Sequence, residues 1–194
     1  MRYEKGRKDV TRSRIVQTAS RRFRAEGVEA VGLAGLMRDA GLTNGAFYVH
    51  FDSKEQLVQE VLVDALDRRL AAMVAARAQG ASLGDAIRDY LSPRQRDLPD
   101  QGCPTAALAA EIARHPEQTR TLFTDKIDAF LQFIAASLPA GDPAARRGQA
   151  AALFGMMVGT LQLARAVNDA ALSDRILEGG IAAGLALVGA QPSS

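Results

Sequence analysis

The sequence predicts an all-helical protein, and three observations lead to this fold class. Apolar residues recur at helical spacing along nearly the whole chain, glycine and proline separate the periodic segments, and strand-like alternation is hard to find. With 194 residues, 47% of them apolar, the chain is long enough to bury one or two cores. We expect an amino-terminal domain of three helices over residues 1–54 and a carboxy-terminal helical bundle over residues 55–194.

The first two predicted helices are marked by their ends. The first begins near Thr11, carries its apolar residues on one face and ends at Gly27, which makes it about 15 residues long. The second covers residues 33–40 and ends at Gly41, because glycine adopts the left-handed conformation that closes many helices.

The next two helices are predicted from caps and periodicity. Thr43 is an N-cap candidate for a third helix of barely two turns over residues 44–51. Ser53 caps a fourth helix, which runs to Ala76 and is long enough to connect two domains.

Proline and glycine divide the remainder into further helices. The expected helices cover residues 82–91, 104–115, 116–137, 144–168 and 173–188, and residues 92–102 are expected to form a loop.

The net charge of +2 hides an asymmetry between the two ends of the chain. Residues 1–24 carry nine basic and two acidic side chains, a net charge of +7. Residues 1–54 contain eleven basic and six acidic residues, a net of +5, so residues 55–194 carry −3. A run of charge is usually a solvated face, but this one coincides with the motif described below.

Several classes of protein are excluded by composition. Cys103 is the only cysteine and His50 and His115 are the only histidines, so neither a disulfide scaffold nor a zinc module is expected. The charged amino terminus does not resemble a signal peptide, and the apolar stretch 150–163 is rich in small and polar residues. We expect a cytoplasmic protein that is not an enzyme and has no cofactor, metal or membrane partner.

The three predicted amino-terminal helices, with a tight turn over residues 41–43, are typical of a helix-turn-helix, which places its second helix in the DNA major groove. In the third predicted helix, Phe47 and Phe51 are four residues apart and face the core. The residues left to face outward are Thr43, Asn44, Gly45, Ala46, Tyr48, Val49 and His50. Small residues at the start of this helix allow its backbone to approach DNA closely.

Residues 14–57 resemble the DNA-binding domain of the tetracycline-repressor (TetR) family. The resemblance is carried above all by the segment Ala40-Gly41-Leu42-Thr43-Asn44-Gly45-Ala46-Phe47-Tyr48-Val49-His50-Phe51, followed by Ser53-Lys54-Glu55-Gln56-Leu57. It implies an all-helical homodimer that represses transcription and binds a small inducer in its carboxy-terminal domain. The sequence departs from the family at Gly32, where the family commonly has a Ser or Thr cap; a Gly cap costs only a few tenths of a kcal/mol.

The resemblance also implies roles for single residues. Those expected to contact phosphates are Tyr48, His50 and Lys54, and those expected nearest the base edges are Thr43, Asn44, Gly45 and Ala46. Ala46 and Val49 are suited to thymine methyl groups. Asn44 has an alternative role as a simple cap, and His50 as an ordinary surface histidine. Residues 2–7 are interpreted either as an arm that enters the minor groove or as a disordered tail.

The carboxy-terminal helices contain apolar residues suited to a ligand pocket, although each is also suited to an ordinary core. The ligand-binding candidates are Phe123, Phe130, Phe133, Phe154, Met156, Met157 and Leu161. Two glycine pairs with a spacing of four, Gly155 with Gly159 and Gly180 with Gly184, favour close helix packing at a dimer seam, with packing inside one subunit as the alternative.

Cys103 precedes a predicted helix, where the helix dipole favours a thiolate. It is therefore a candidate redox or electrophile sensor, with a small buried apolar residue as the alternative.

We therefore expect a sequence-specific DNA-binding transcriptional regulator, a repressor released by a small molecule. Its expected partners are an inverted-repeat double-stranded DNA operator, an unidentified inducer and a second copy of the chain, because one short recognition helix reads too few bases. The alternatives are a helical adaptor for protein partners and a thiol-based sensor acting through Cys103. An enzyme is disfavoured because Cys103 and His115 lie about 18 Å apart along one predicted helix, too far for a nucleophile and its base.

Overall fold

The computed structural model describes the backbone of residues 2–189 and the side chains of residues 8–189, and this part of the chain is helical, without strands. The elements in order are α1 (Arg2–Glu26), α2 (Leu33–Asp39), a 3-10 helix (Asn44–Val49), α3 (Lys54–Ala78), α4 (Leu83–Tyr90), α5 (Pro93–Asp97), α6 (Pro104–Ile112), α7 (Glu117–Ser137), α8 (Pro143–Ala166) and α9 (Ala170–Leu187). The predicted all-α fold class is confirmed.

Two apolar cores organise these helices. The first, here called the head core, is formed by α1, α2, the 3-10 helix and the first half of α3, and its largest wholly buried side chains include Phe23, Phe47 and Phe51. The second, the body core, is formed by α4 and α6 to α9 around Ile87, Leu153 and other buried residues. We use "head" for α1, α2 and the 3-10 helix, and "body" for α4 to α9; α3 connects them.

The predicted helix ends agree with the backbone at several positions. Gly27 and Gly41 follow α1 and α2 with φ of 87° and 69°, values that only glycine adopts readily. Ser53 caps α3 by accepting a hydrogen bond from the Gln56 amide at 3.1 Å. Ser82 and Asp85 form a capping box at the start of α4.

Two sequence expectations about the elements are wrong, and the third predicted helix is present in a different helical form. Helix α1 begins at Arg2 rather than near Thr11; its first turns lack apolar periodicity, so the pattern missed them, and the side chains of residues 2–7 lie outside the described part. Residues 93–97 form a short helix that begins at a proline, where a loop was expected. The third helix is a 3-10 helix of six residues. Thr43 has the backbone conformation of its cap but makes no side-chain cap bond.

The division into domains at residues 54 and 55 stays a prediction. In the structure the head core continues along α3 to Leu62 and includes Leu108 and Ile112 of α6. Helix α6 of the body therefore packs directly against the head. No helix within the described residues is both long and apolar enough to cross a membrane.

Candidate nucleic-acid interface

The 3-10 helix and its preceding turn present a nearly continuous exposed surface. Tyr48 and Val49 are 64% and 61% exposed, and Thr43, Asn44 and Gly45 are also exposed. The short i to i+3 bonds, such as the one from the His50 amide to the Phe47 carbonyl at 2.9 Å, produce the tight winding. Phe47 is wholly buried in the head core and anchors the 3-10 helix that carries this surface.

The predicted base-reading residues do not share one environment. A Cβ atom added at Gly45 would meet no atom within 4 Å, so the backbone there is open to a partner. Ala46, by contrast, is half-buried and packs against the head core.

Arg12 of α1 fixes the end of this surface. Its Nε donates to Glu60 of α3 at 3.0 Å, a second nitrogen donates to the same carboxylate, and a third donates to the His50 carbonyl oxygen. Its guanidinium group also lies 4.3 Å from the centre of the Phe51 ring. One side chain thereby joins α1, α3 and the segment that carries Tyr48 and His50.

His50 lies at the boundary between the head core and the exposed surface. Its ring Nδ1 is buried and has no hydrogen-bond partner among the described residues. Burial lowers the pKa of His50 below its usual value, and the positive charges of Lys8 and Arg12 lower it further. A phosphate placed here would oppose that shift, because it supplies both a negative charge and an acceptor.

Lys54, the third predicted phosphate contact, has a partner inside the protein. Its Nζ donates to the Val28 carbonyl oxygen at 2.6 Å and so ties the start of α3 to the loop between α1 and α2. The role expected from the sequence stays a prediction, and the structure adds a structural one. Gly32 caps α2 without a side-chain bond, as its lack of a side chain requires.

Part of the amino-terminal positive charge is used inside the protein. Arg22 pairs with Glu26 and Asp39, at 2.7 and 2.9 Å. Arg24 donates to the Gly102 carbonyl oxygen at 3.0 Å, and its burial lowers its pKa. The charge excess therefore overstates the number of cations available to a nucleic acid.

Helix α6 connects the body to the head through polar contacts as well as packing. Glu111 accepts a 2.6 Å bond from the Val28 amide, close against Gly27. Beyond the end of α6, His115 lies 3.0 Å from the carboxylate of Glu55 on α3. A shift of α6 would be transmitted to the same loop that Lys54 holds.

A cavity of about 600 Å³ lies in the body between α3, α4, α7 and α8. Of the predicted pocket residues it is lined by Phe130, Phe133, Phe154 and Met157, and the rings of Phe130 and Phe154 stack at 5.8 Å. Phe123 and Leu161 do not line this cavity, and the ligand-binding role expected for the whole set stays a prediction. Phe123 packs on the head core from the start of α7, and Leu161 is wholly buried in the body core.

Met156, also a pocket candidate, does not line the cavity; it is the neighbour that a Cβ added at Gly184 would meet at 3.3 Å. It therefore packs towards α9, whereas Leu153, Phe154 and Met157 are the residues of α8 that line the cavity.

Cys103 and Tyr90 also line this cavity and add a thiol and a hydroxyl group to its wall. Cys103 is buried, with 1% exposure, and lines the cavity from the N-cap position of α6. Tyr90 of α4, which was not a candidate from sequence, also lines it; its hydroxyl group is buried beside the Cys103 thiol and makes no hydrogen bond of ordinary geometry to another described residue. Burial raises the pKa of Tyr90 well above its usual value, so the hydroxyl stays protonated and available as a donor.

The two glycine pairs of the last helices serve different surfaces. A Cβ at Gly180 would come within 2.5 Å of the Thr160 side chain, and one at Gly184 within 3.0 Å of Ile87, so this pair packs inside the subunit. Gly155 and Gly159 face open space. Only the α8 pair is available for a seam between subunits, together with exposed alanines of α9.

The family model described as bacterial regulatory proteins, tetR family, matches residues 15–61. The transcriptional repressor KstR2 of Mycolicibacterium smegmatis is 41% identical over 56 residues, which are 29% of this chain and 27% of that protein. The chain thus aligns with about a quarter of the length of the curated relatives it matches first.

Solved structures extend the similarity to the whole fold. Reduced NemR of E. coli superposes with a TM-score of 0.76 at 20% identity, covering 95% of this chain and 99% of that one. A TetR-family transcriptional regulator of Streptomyces coelicolor gives a TM-score of 0.66 at 25% identity, covering 92% and 95%. The matched domain and the shared architecture agree: residues 15–61 match the TetR-family DNA-binding domain, and the described chain has the fold of TetR-family regulators.

Proposed function

We propose that the protein is a sequence-specific DNA-binding transcriptional repressor that acts as a homodimer on an inverted-repeat operator. The observation that carries the proposal is the exposed surface of residues 43–50, seated on a sealed core and tied to α1 and α3 by Arg12. A helix-turn-helix segment of this kind enters the major groove while neighbouring groups hold the phosphates.

The dimer is supported by the exposed side of the last two helices. Gly155 and Gly159 of α8 have open space around them, and Leu163 on the same side is 55% exposed. Ala182 and Ala186 of α9 are exposed as well. Small residues let helix axes approach closely, so this face suits a symmetric four-helix contact.

We further propose that the cavity of the body receives the inducer. It has the size of known small-molecule sites, roughly 300–1,000 Å³, and α6 connects its Cys103 wall to the loop after α1. Release from DNA requires that the ligand favour one conformer, and a 100-fold loss of DNA affinity corresponds to about 2.7 kcal/mol of coupling.

Selection of bound duplexes from a random DNA pool tests the DNA-binding proposal directly, and an inverted repeat is expected. Tyr48→Ala should weaken binding to the selected site, whereas Val74→Ala, an exposed control on α3 in the body half, should not. If the dimer makes about six to ten phosphate contacts, log affinity should fall against log salt with a slope near −5 to −9. Recovery of no preferred sequence would contradict the proposal.

The dimer is tested separately with Gly159→Arg, which places a charged side chain on the exposed α8 face. Sedimentation velocity should show monomers for this variant. Gly141→Arg, at an equally open position in the turn before α8, is the matched control and should remain dimeric. A dimeric Gly159→Arg protein would mean that the seam lies elsewhere.

The thiol alternative has one supporting observation, the place of Cys103 on the cavity wall. Cys103→Ser should leave release from DNA by electrophiles unchanged if the thiol is only a buried apolar residue. Loss of that release in the variant would favour the sensor.

A further inference from the structure

A second cavity, of about 390 Å³, lies between α1, α3 and the start of α6, and its lining is strongly basic. Its charged lining residues are Arg21, Arg24, Arg68, Arg69 and Asp64. Four arginines face a single carboxylate in this arginine cavity, and the remaining lining side chains are uncharged. An arginine-rich concave surface of this kind favours a carboxylate or a phosphate.

The contacts within the arginine cavity leave positive charge unbalanced. Arg68 pairs with Asp64 at 2.9 Å, which uses the one acidic lining group, and Arg24 donates to backbone carbonyl oxygens with the Asp100 carboxylate nearby. Arg21 is exposed. Arg69 has a long contact of 3.7 Å to Asp89, and its Nε is buried without a hydrogen-bond partner among the described residues.

Arg69 also links the two cavities. Arg69 and Ala72, three residues apart on one face of α3, line both the arginine cavity and the apolar cavity of the body. On the apolar side the charged lining residues balance, because Arg69 and Arg77 face Asp85 and Asp89. A charge gradient therefore runs past Arg69, from a neutral apolar chamber to a basic one.

We propose that the two cavities bind one amphipathic anion, with its apolar chain against Phe130 and Phe154 and its carboxylate or phosphate group on the arginine side. The Nε of Arg69, which has no partner among the described residues, donates to the anionic group of the ligand. The buried Tyr90 hydroxyl donates to an acceptor oxygen that lies closer to the ligand's apolar chain. The role of this anion as the inducer rests on the proposed function, whereas the anion site itself does not.

The position of the ligand's anionic group suggests how ligand binding affects the contacts of α1. Arg24 belongs to α1 and holds the Gly102 carbonyl oxygen just before α6. An anion in the arginine cavity competes for this guanidinium group, and so loosens the contact between α1 and the segment leading to Cys103.

The test compares decanoate with decan-1-ol, which has the same chain and no charge, by isothermal titration calorimetry on the full chain. Decanoate should bind at least about tenfold more tightly, which is roughly 1.4 kcal/mol. Arg69→Met should reduce that preference to less than about twofold while decan-1-ol still binds. Arg77→Met is the matched control, since Arg77 lines only the apolar cavity, and should keep the preference.

Arg21→Met is a second test, which remains valid if Arg69→Met does not fold. Arg21 is exposed and also lines the arginine cavity with a positive charge. It should lower the preference for decanoate about two- to threefold. The proposal is overturned if decan-1-ol binds as tightly as decanoate, if neither binds, or if Arg69→Met weakens both ligands equally.

Operator binding measured on the same samples separates the two proposals. Intact DNA binding without a preference for decanoate overturns the ligand assignment alone. A preference for decanoate in a protein that selects no DNA sequence overturns the proposed function and leaves the anion site standing.

Discussion

The head and the body of this protein use their interiors differently. The head core closes around wholly buried rings. Among the described residues of the head, the one buried side-chain polar atom without a hydrogen-bond partner is Nδ1 of His50, which lies at the proposed DNA surface. The body encloses a cavity of about 600 Å³ and buries unpartnered polar atoms at Tyr90, Gln95, Thr105 and Arg146. Unpaired buried polar groups are costly, and of these four residues only Tyr90 lines the cavity.

The head core and the body should therefore differ in how well they tolerate substitution. A packed core holds an exposed reading surface at fixed geometry, and a body with internal space is able to respond to what enters it. Substitutions in the packed head core should cost more stability than substitutions beside the cavity of the body.

Phe47→Ala should cost the protein about 3–5 kcal/mol of unfolding free energy, because it empties a sealed core. Phe133→Ala, in the half-buried cavity wall of the body, should cost less than half as much, since space already adjoins it. Urea unfolding at one protein concentration measures both. Equal costs would contradict the contrast between the two interiors.

Gly180→Ala should destabilise the body by about 1–3 kcal/mol, because the added methyl group meets Thr160 and Leu91 on neighbouring helices. Gly148→Ala adds the same group in open space and should be neutral or stabilising, through helix propensity. Thermal unfolding distinguishes them, and a stable Gly180→Ala protein would show that α8 and α9 can move apart.

Arg12→Met should lower the unfolding free energy by about 1 kcal/mol, a modest value because the Arg12–Glu60 pair is about one-third exposed. Its effect on DNA should be larger than its effect on stability, since it releases the carbonyl oxygen of His50. Arg14→Met, an exposed neighbour on α1, is the control in a gel-shift titration. Equal DNA affinities of the two variants would refute a positioning role for Arg12.

The pKa of His50 gives the smallest expected effect. Because burial and neighbouring cations depress it in the folded state, the unfolded chain binds more protons below its usual pKa of about 6.5. His50 therefore contributes stability that is present above that pH and lost as the pH falls. His50→Gln should flatten part of the decline in urea midpoint between about pH 7 and pH 5; an unchanged pH profile would assign the decline to other groups.

Local signals were sufficient to predict the elements of the head and much of the body. Gly27, Gly41 and Ser53 end or begin helices where the sequence indicates, because a left-handed turn or a cap depends on the residue itself. The first turns of α1 were not predicted, because their sequence is rich in charged residues and has no apolar period to detect.

The candidate site was only partly accessible from sequence. Exposure of Tyr48 and Val49 follows from the spacing of Phe47 and Phe51, and the structure agrees with that inference. The internal partner of Lys54 does not follow, because Val28 is far from it in sequence. Nor did periodicity separate cavity walls from filled core, as Phe123 and Leu161 show.

Side-chain chemistry and local spacing were enough to establish the helical class, most helix ends and the polarity of the chain from a basic head to a mildly acidic body. The start of α1 and the short helix α5 are the exceptions. Tertiary structure alone decided which glycine pair faces inward, which rings surround empty space, and that Arg69 stands between an apolar and a basic cavity. These are contacts between helices distant in sequence, and their geometry is set by how whole helices pack.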